Sequence, residues 1–208
     1  MRLPVILLAL TTTLSGCGAL SVLSGGPNRD VFELRPPAMT ATQCGRGQVG
    51  QLVVEPPKAR GTLDTERIMI RPSPLQTQFL PDAQWGDTVP VTLQRLLVQS
   101  LGSFNVFSHV GRVPLGLSGD FALLSEIEDF NAEVDGRAAV VRMTVDARMV
   151  REMDASVVSR RRFAVSVPAA STKTADLIPA FDAAGQQLTA EMVEWSLRAV
   201  GVNLSNCR

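Results

Sequence analysis

Few side chains in this sequence combine in the way that catalysis requires. His109 is the only histidine and follows Ser108 at the end of a predicted short strand, where a structural histidine is the simpler interpretation. The carboxylates Glu126, Glu128 and Asp129 are close in sequence, but neighbouring side chains of a strand point to opposite faces. The sequence contains no Gly-x-Ser-x-Gly elbow, phosphate-binding glycine loop or His-Glu-x-x-His helix. It therefore predicts a protein that is not an enzyme, with an envelope enzyme as an alternative.

The N-terminal residues predict export from the cytoplasm and a covalent modification. Arg2 precedes an apolar run at 3–10, and small residues lead into a cysteine at Leu14-Ser15-Gly16-Cys17. This order is typical of a secretory signal peptide, and the run is shorter than the ~20 apolar residues that span a bilayer. The ending resembles the bacterial lipobox, which implies a diacylglyceryl group on the Cys17 thiol, cleavage before it and acylation of the new N-terminus. The alternative is an ordinary secreted protein with a cysteine near its cleavage site.

Residues 18–30 predict a flexible tether, because they are rich in Ser, Gly and Pro and lack an apolar face. A flexible chain of this length reaches roughly 20 Å, which keeps a domain close to its membrane. In lipoproteins of this kind an Asp after the cysteine favours retention at the inner membrane, so Gly18 favours sorting onward. The predicted location is the periplasmic face of the outer membrane of a Gram-negative bacterium.

Composition predicts one packed domain. We assign residues 1–16 to the signal peptide, 17–30 to the lipidated cysteine and tether, and 31–208 to the domain. Apolar residues make up 45% of the chain and charged residues 19%, which suits a globular fold. Removing Arg2 from 20 basic side chains leaves 19 against 20 acidic ones, so nucleic acid is not an expected partner.

Cys44 and Cys207 are the two cysteines that lipidation leaves over. In an oxidising compartment they are expected to form a disulfide. The bond would close a loop of about 160 residues, which in the chain-entropy model stabilises the fold by on the order of 5 kcal/mol. Two free thiols or a metal site are the alternatives, and the metal ranks last because His109 is the only histidine. No metal or cofactor is predicted beyond the lipid on Cys17.

Hydrophobic periodicity predicts an α+β fold. Strict alternation at 139–150 predicts a strand with one buried and one charged face, flanked by long strands at 120–132 and 156–168 in an antiparallel meander. Shorter strands are predicted at 31–34, 51–55 and 104–110, with a hairpin or bent strand pair spanning 64–71 and 75–80. Helical spacing predicts amphipathic helices at 89–101 and 174–200, the second with Pro179 tolerated only in its first turn. Two such helices on one face of a mainly antiparallel or mixed sheet make a two-layer sandwich.

Arginines concentrate in the predicted meander and form a candidate basic patch, with Arg142, Arg148, Arg160 and Arg162 on one face. Such a patch could bind acidic lipid head groups or an acidic partner. A solvated outer face, or a charged edge that blocks aggregation, is the alternative that we favour. Alternation separates Arg161 from its two neighbours.

The order of several segments resembles a known family. Phe32-Glu33-Leu34 follows the tether, a basic and aliphatic stretch occupies 64–71, and Ala83-Gln84-Trp85 leads into the helix at 89–101. With the terminal helix, this order is similar to that of the ABC-type transport auxiliary lipoproteins, the PqiC-like proteins that accompany MCE-domain lipid transport systems. The resemblance covers residues 31 to 200. The sequence departs from it by lacking tyrosine, which relatives often have where Phe32 and Ile70 stand here.

The resemblance implies a non-enzymatic periplasmic subunit whose partners are an MCE protein and, through it, an inner-membrane permease and ATPase. Docking or assembling the MCE protein at the outer membrane is the first hypothesis. A periplasmic carrier that holds phospholipid in its own cavity is the second. Leu75, Phe79 and Leu80 are candidate partner contacts, because no periodic pattern buries them. The alternative is that they cap the core.

Overall fold

The computed structural model describes residues 29–39, 49–116 and 118–207. In these ranges nine strands form one mixed sheet that packs against two helices, which confirms the predicted α+β class. The strands are β1 (Asp30–Phe32), β2 (Gln51–Val54), β3 (Lys58–Ala59), β4 (Arg67–Ser73), β5 (Gln76–Trp85), β6 (His109–Gly111), β7 (Phe121–Asp135), β8 (Ala138–Arg151) and β9 (Ser156–Ala169). The helices are α1 (Val89–Gly102) and α2 (Thr174–Ala199), and a 3-10 turn follows at Leu204–Asn206.

The long strand β7 organises the sheet. Along one edge it pairs antiparallel with β8, which pairs antiparallel with β9, so the predicted meander is confirmed. Along its other edge β7 pairs in turn with β2, β3 and β4, each of them parallel to it. Beyond β2 lies β6, and beyond β4 lie β5 and then β1. One end of the sheet therefore carries the β4–β5 and β7–β8 turns, and the other carries the loops around residues 112–120 and 152–155.

Alternation in β8 sets which face the helices cover. Val141, Met143 and Val145 are fully buried, whereas Arg142 and Arg148 on the other face are exposed. The apolar stripes of both helices join the same core. At its centre the Trp85 and Phe181 rings meet edge to face with centroids 5.3 Å apart.

Pro179 lies in the sixth position of α2, beyond the first turn, and the helix continues through it. The prediction that this proline is tolerated only in the first turn is therefore wrong. Proline removes one backbone hydrogen bond. Burial of the stripe that includes Leu177, Phe181 and Leu188 outweighs that loss.

The predicted strand at 104–110 is reduced to β6. Phe104, Val106 and Phe107 are buried in the core, but they lie in turns and bends after α1. The Phe104 N–H donates to the Leu101 carbonyl, and the Val106 carbonyl accepts from the N–H of Val49. A run of apolar residues thus marks a buried loop here, which its composition does not distinguish from a strand.

Among the described helices, none combines the length and the apolar character that crossing a bilayer requires.

Candidate partner-binding surfaces

The first candidate region is the segment through which the chain enters the domain. After β1, the Leu34 side chain is buried beside Gly185 of α2, and its carbonyl accepts a hydrogen bond of 3.2 Å from the Arg95 Nη2 of α1. The backbone N–H and the Nε of Arg35 donate to the two carboxylate oxygens of Asp182 on α2, at 2.9 and 3.0 Å. Gln186 donates to the same carboxylate at 2.8 Å. The predicted tether therefore ends in a segment that is fixed to both helices.

Asp182 is a nearly buried carboxylate with a defined partner. Burial alone would raise its pKa, but the hydrogen bonds and the positive charge of Arg35 outweigh burial and lower the pKa below its ordinary value. The same contacts raise the pKa of Arg35. The pair has an ordinary structural explanation, because it attaches the entering chain to α2.

The three residues predicted to contact a partner differ in their exposure. Leu75 lies at the turn and is 100% exposed. Leu80, in contrast, is only 6% exposed and belongs to the core, so its assignment as a partner contact is wrong. Phe79 is half-buried against the core, and the Arg67 guanidinium lies 4.3 Å from its ring centroid. Of the three residues, Leu75 is therefore the only one that is fully exposed.

A surface groove of about 520 Å³ lies beside this turn. It runs between the end of β4 and the β7–β8 turn, and its lining comprises Arg71, Pro72, Ser73, Pro74, Glu133, Val134, Asp135 and residues 138–140. Its apolar lining comes from the prolines and from Val134 and its neighbours on β8. A groove of this size and composition is compatible with an apolar ligand or with a peptide segment.

The predicted basic patch is a ladder of ion pairs. Arg142 donates to Glu133 at 2.6 Å, Arg160 to Asp146 at 2.9 Å and Arg162 to Glu128 at 2.5 Å. Hydrogen bonding and the negative charge of Asp146 raise the pKa of Arg160, and Glu128 does the same for Arg162. Three of the four arginines are thus neutralised by carboxylates of neighbouring strands, which supports a solvated outer face.

Arg148 and Arg161 lie apart from these three ion pairs. Arg148 lines a smaller groove of about 240 Å³ with Lys58, Glu55, Glu126 and Asp146. This groove is therefore mixed in charge. Arg161 faces the helices and lies 3.7 Å from Glu191 of α2, which confirms that alternation separates it from Arg160 and Arg162.

A β-bulge in β7 places two adjacent carboxylates on one face. The register shifts between Ile127 and Asp129, so both Glu128 and Asp129 lie on the outer face. Glu128 pairs with Arg162, and Asp129 pairs with Arg71 at 3.1 Å. The expectation that these neighbours point to opposite faces is wrong at this position. Both carboxylates therefore form ion pairs with arginines of other strands of the sheet.

The other residues considered for chemistry have structural surroundings. The His109 ring packs over Gly111, where an added Cβ would lie 2.3 Å from the imidazole Nε2. Within residues 29–39, 49–116 and 118–207, no group of histidine, cysteine and acidic side chains is arranged to hold a metal ion. Cys17 and Cys44 lie outside the described residues, so lipidation and the pairing of Cys44 with Cys207 stay predictions.

Sequence reasoning missed an apolar surface at the end of the sheet that lies opposite the β4–β5 turn. Four large apolar side chains are exposed there: Val113 by 69%, Leu115 by 70%, Met153 by 87% and Val157 by 56%. They come from two separate segments, the loop before β7 and the β8–β9 hairpin, that only the fold brings to one end. The available signal was the aperiodic sequence Val113-Pro114-Leu115 before a glycine, which predicts an exposed apolar loop.

Comparison with known proteins provides a family assignment for this geometry. The family described as "ABC-type transport auxiliary lipoprotein component" matches residues 32–193. An uncharacterized protein of Bradyrhizobium diazoefficiens is 26% identical over 181 residues, which cover 85% of this chain and 47% of that protein. The chain spans about half the length of this curated relative.

Solved structures share the fold. Protein XCC0632 from Xanthomonas campestris superposes with a TM-score of 0.72 at 26% identity, covering 81% of this chain and 94% of that chain. The hypothetical protein CT253 from Chlamydia trachomatis superposes with a TM-score of 0.52 at 13% identity, covering 76% and 100%. The second likeness shows a common fold alone.

Proposed function

Because this chain belongs to the family of ABC-type transport auxiliary lipoprotein components, we propose that it docks the MCE protein of a lipid transport system at the outer membrane. In this proposal it is a non-enzymatic periplasmic subunit, anchored through lipids on Cys17. The MCE protein connects it to the inner-membrane permease and ATPase. The family match extends from β1 into α2 and supports the coarser part, which is a lipoprotein that assists ABC-type transport.

The observation that favours docking over lipid carriage is the filled space between helices and sheet. Phe130 lies 6.1 Å from Trp85 and 6.0 Å from Phe181 between ring centroids, so three aromatic rings occupy the centre. A second pair, Phe163 and Trp195, fills the space under β9 with centroids 5.6 Å apart. A carrier needs a cavity of ~300–1,000 Å³ for its cargo. Side chains occupy the layer between the helices and the sheet, which is where a two-layer fold would have such a cavity.

The carrier remains the second hypothesis because of the groove beside the β4–β5 turn. Its volume of about 520 Å³ lies within the range of ligand sites, and part of its lining is apolar. A phospholipid bound there would have one side against β7 and β8 and the other towards solvent.

Purification of the full-length lipidated chain from its own envelope separates the two functions. Docking predicts recovery of the MCE partner and far less than one non-covalent phospholipid per chain by mass spectrometry. Carriage predicts about one phospholipid per chain, and the groove-lining substitution Val140→Trp should then abolish it. Lipid at about one per chain without recovery of the MCE partner would contradict docking.

A further inference from the structure

The direction of β1 indicates which end of the domain is nearest to the predicted anchor. Strand β1 runs parallel to β5, with Asp30 opposite Ala83 and Phe32 opposite Trp85. Since β5 begins at the β4–β5 turn, the chain enters β1 from the side of that turn. We call this end of the sheet, with residues 74–75 and 136–137, the hairpin end.

The register of the neighbouring strands gives the distances involved. Arg67 of β4 lies opposite Gln84, and Ile70 lies opposite Ala132 of β7, so β1 begins near the level of Phe130. From there β7 continues for about 17 Å to the hairpin end and for about 30 Å to the opposite end. The predicted tether has a reach of roughly 20 Å, which is enough to span the distance to the hairpin end but not the distance to the opposite end.

The opposite end, which we call the loop end, comprises residues 112–116, 118–120 and 152–155 and the start of β9. Of the six large apolar side chains that are exposed among the described residues, four lie there and one, Leu75, lies at the hairpin end. Monomeric proteins seldom concentrate exposed apolar groups without a use for them. The loop end therefore has the composition of an interface.

Hydrogen bonds hold the loop-end segments together. The Leu115 N–H donates to the Gln51 side chain at 3.2 Å, and the Gly119 N–H donates to a Glu152 carboxylate oxygen at 2.6 Å. The Glu152 N–H donates in turn to the Asp120 carbonyl at 3.1 Å. The segments that carry Leu115 and Met153 are thus fixed to the same strand ends, which lowers the entropy cost of binding through them.

Apolar residues also lie on the outer face of the sheet at this end. Val53 and Ala122 alternate there with the core residues Leu52 and Leu123, but both are buried and add no exposed area. Val157 lies opposite Val150 on the same face. Two of the charged neighbours have partners, since Arg151 lies 3.5 Å from Asp154 and the Glu152 carboxylate accepts from the Gly119 N–H. The surface therefore suits an apolar occupant better than a charged one.

We propose that the loop end is the docking surface for the protein partner of the transport system, and that it binds an apolar segment of that partner through Leu115, Met153 and their neighbours. This inference rests on the proposed function and names the surface that performs it. The occupant is a protein because the predicted tether, with a reach of roughly 20 Å, is shorter than the distance of about 30 Å from the start of β1 to the loop end, which keeps this end from the anchoring membrane. A partner that approaches from the opposite membrane meets this end first.

The test compares two full-length, lipidated variants with matched changes at the two ends. Leu115→Ser with Met153→Ser alters the loop end, and Leu75→Ser alters the hairpin end. All three side chains are exposed, so both variants should retain the fold, which circular dichroism and thermal melting check. Affinity for the purified MCE protein should fall about tenfold or more in the loop-end variant and remain unchanged in Leu75→Ser.

The outcomes separate this inference from the function on which it rests. Absence of a complex with the unaltered chain contradicts both. A complex that survives the loop-end changes, or that Leu75→Ser disrupts, contradicts this inference and leaves docking intact. Sedimentation of the chain alone measures whether it self-associates. If the loop-end changes dissociate a self-associated chain without weakening the MCE complex, the occupant is a second copy and the proposal is overturned.

Discussion

The side chain of Leu34 fills the space beside Gly185 of α2. A Cβ added to Gly185 would lie 3.1 Å from the Cδ1 of Leu34, tighter than an ordinary van der Waals contact. This contact and the Arg35 pair with Asp182 fix the entering chain to the helix at neighbouring positions. The place where the tether joins the domain is therefore set by packing as well as by charge.

Replacing Gly185 with leucine should destabilise the domain, because the new side chain competes with Leu34 for the same space. Overpacking of this kind costs roughly 1–3 kcal/mol in the free energy of unfolding. Chemical denaturation provides the measurement. Gly102→Ala is the matched control, since an added Cβ there has nothing within 4 Å, and it should leave stability unchanged or slightly higher. Equal effects of both substitutions would show that Leu34 does not occupy this contact.

Stability should depend on pH through Asp182. Its pKa is lower in the folded chain than in the unfolded chain, so its contribution is present above the unfolded pKa of about 3.9. That contribution is lost as the pH falls through the folded pKa. Unfolding measured from neutral to acidic pH should therefore show a steeper loss of stability in the unaltered chain than in Asp182→Asn.

Arg35→Gln provides the control for this interpretation, because Arg35 is the partner that lowers the pKa of Asp182. It should flatten the same part of the profile while leaving the carboxylate in place. A profile identical to that of the unaltered chain would assign the pH dependence to another group.

Trp195 should be among the costliest residues to truncate. It is 7% exposed, it packs edge to face on Phe163, and its Nε1 donates to the Ser159 hydroxyl at 3.1 Å. Trp195→Ala should lower the free energy of unfolding by ~3–5 kcal/mol. Ser159→Ala removes only the acceptor and should cost about 1 kcal/mol. A Trp195→Ala effect as small as that of Ser159→Ala would place the indole outside the core.

Cys44 and Cys207 should be bonded to each other in the mature protein, because the predicted signal peptide would export both and no other cysteine would remain once Cys17 is lipidated. Alkylation of the unreduced protein followed by mass spectrometry should leave both thiols unmodified, and prior reduction should expose both. Two modified thiols without reduction would exclude the bond.

Prediction from the sequence succeeded where a regular residue pattern determines which side chains of an element are buried. Strict alternation in β8 gave its buried face, because Val141, Met143 and Val145 could be covered only together. Arrangements that depend on distant residues were not predictable in this way. The ion pairs of Arg142, Arg160 and Arg162 arise from register between strands that the sequence alone does not specify.

Two further differences have identifiable physical causes, one local and one tertiary. The bulge near Asp129 reverses the alternation on which the opposite placement of Glu128 and Asp129 was based. The exposed apolar surface of the loop end depends on tertiary hydrogen bonds such as that between Gly119 and Glu152. The segment Val113-Pro114-Leu115 indicates an exposed apolar loop, but nothing in it indicates that Met153 and Val157 lie at the same end of the sheet.

Fractionation of the cell envelope tests the docking account most directly. The fraction of the MCE protein that sediments with the outer membrane is measured in three strains: one with the unaltered chain, one without it and one with Cys17→Ala. The account predicts that the MCE protein accompanies the outer membrane only with the unaltered chain, since the anchor provides local concentration at that membrane. An unchanged distribution of the MCE protein in all three strains would contradict it.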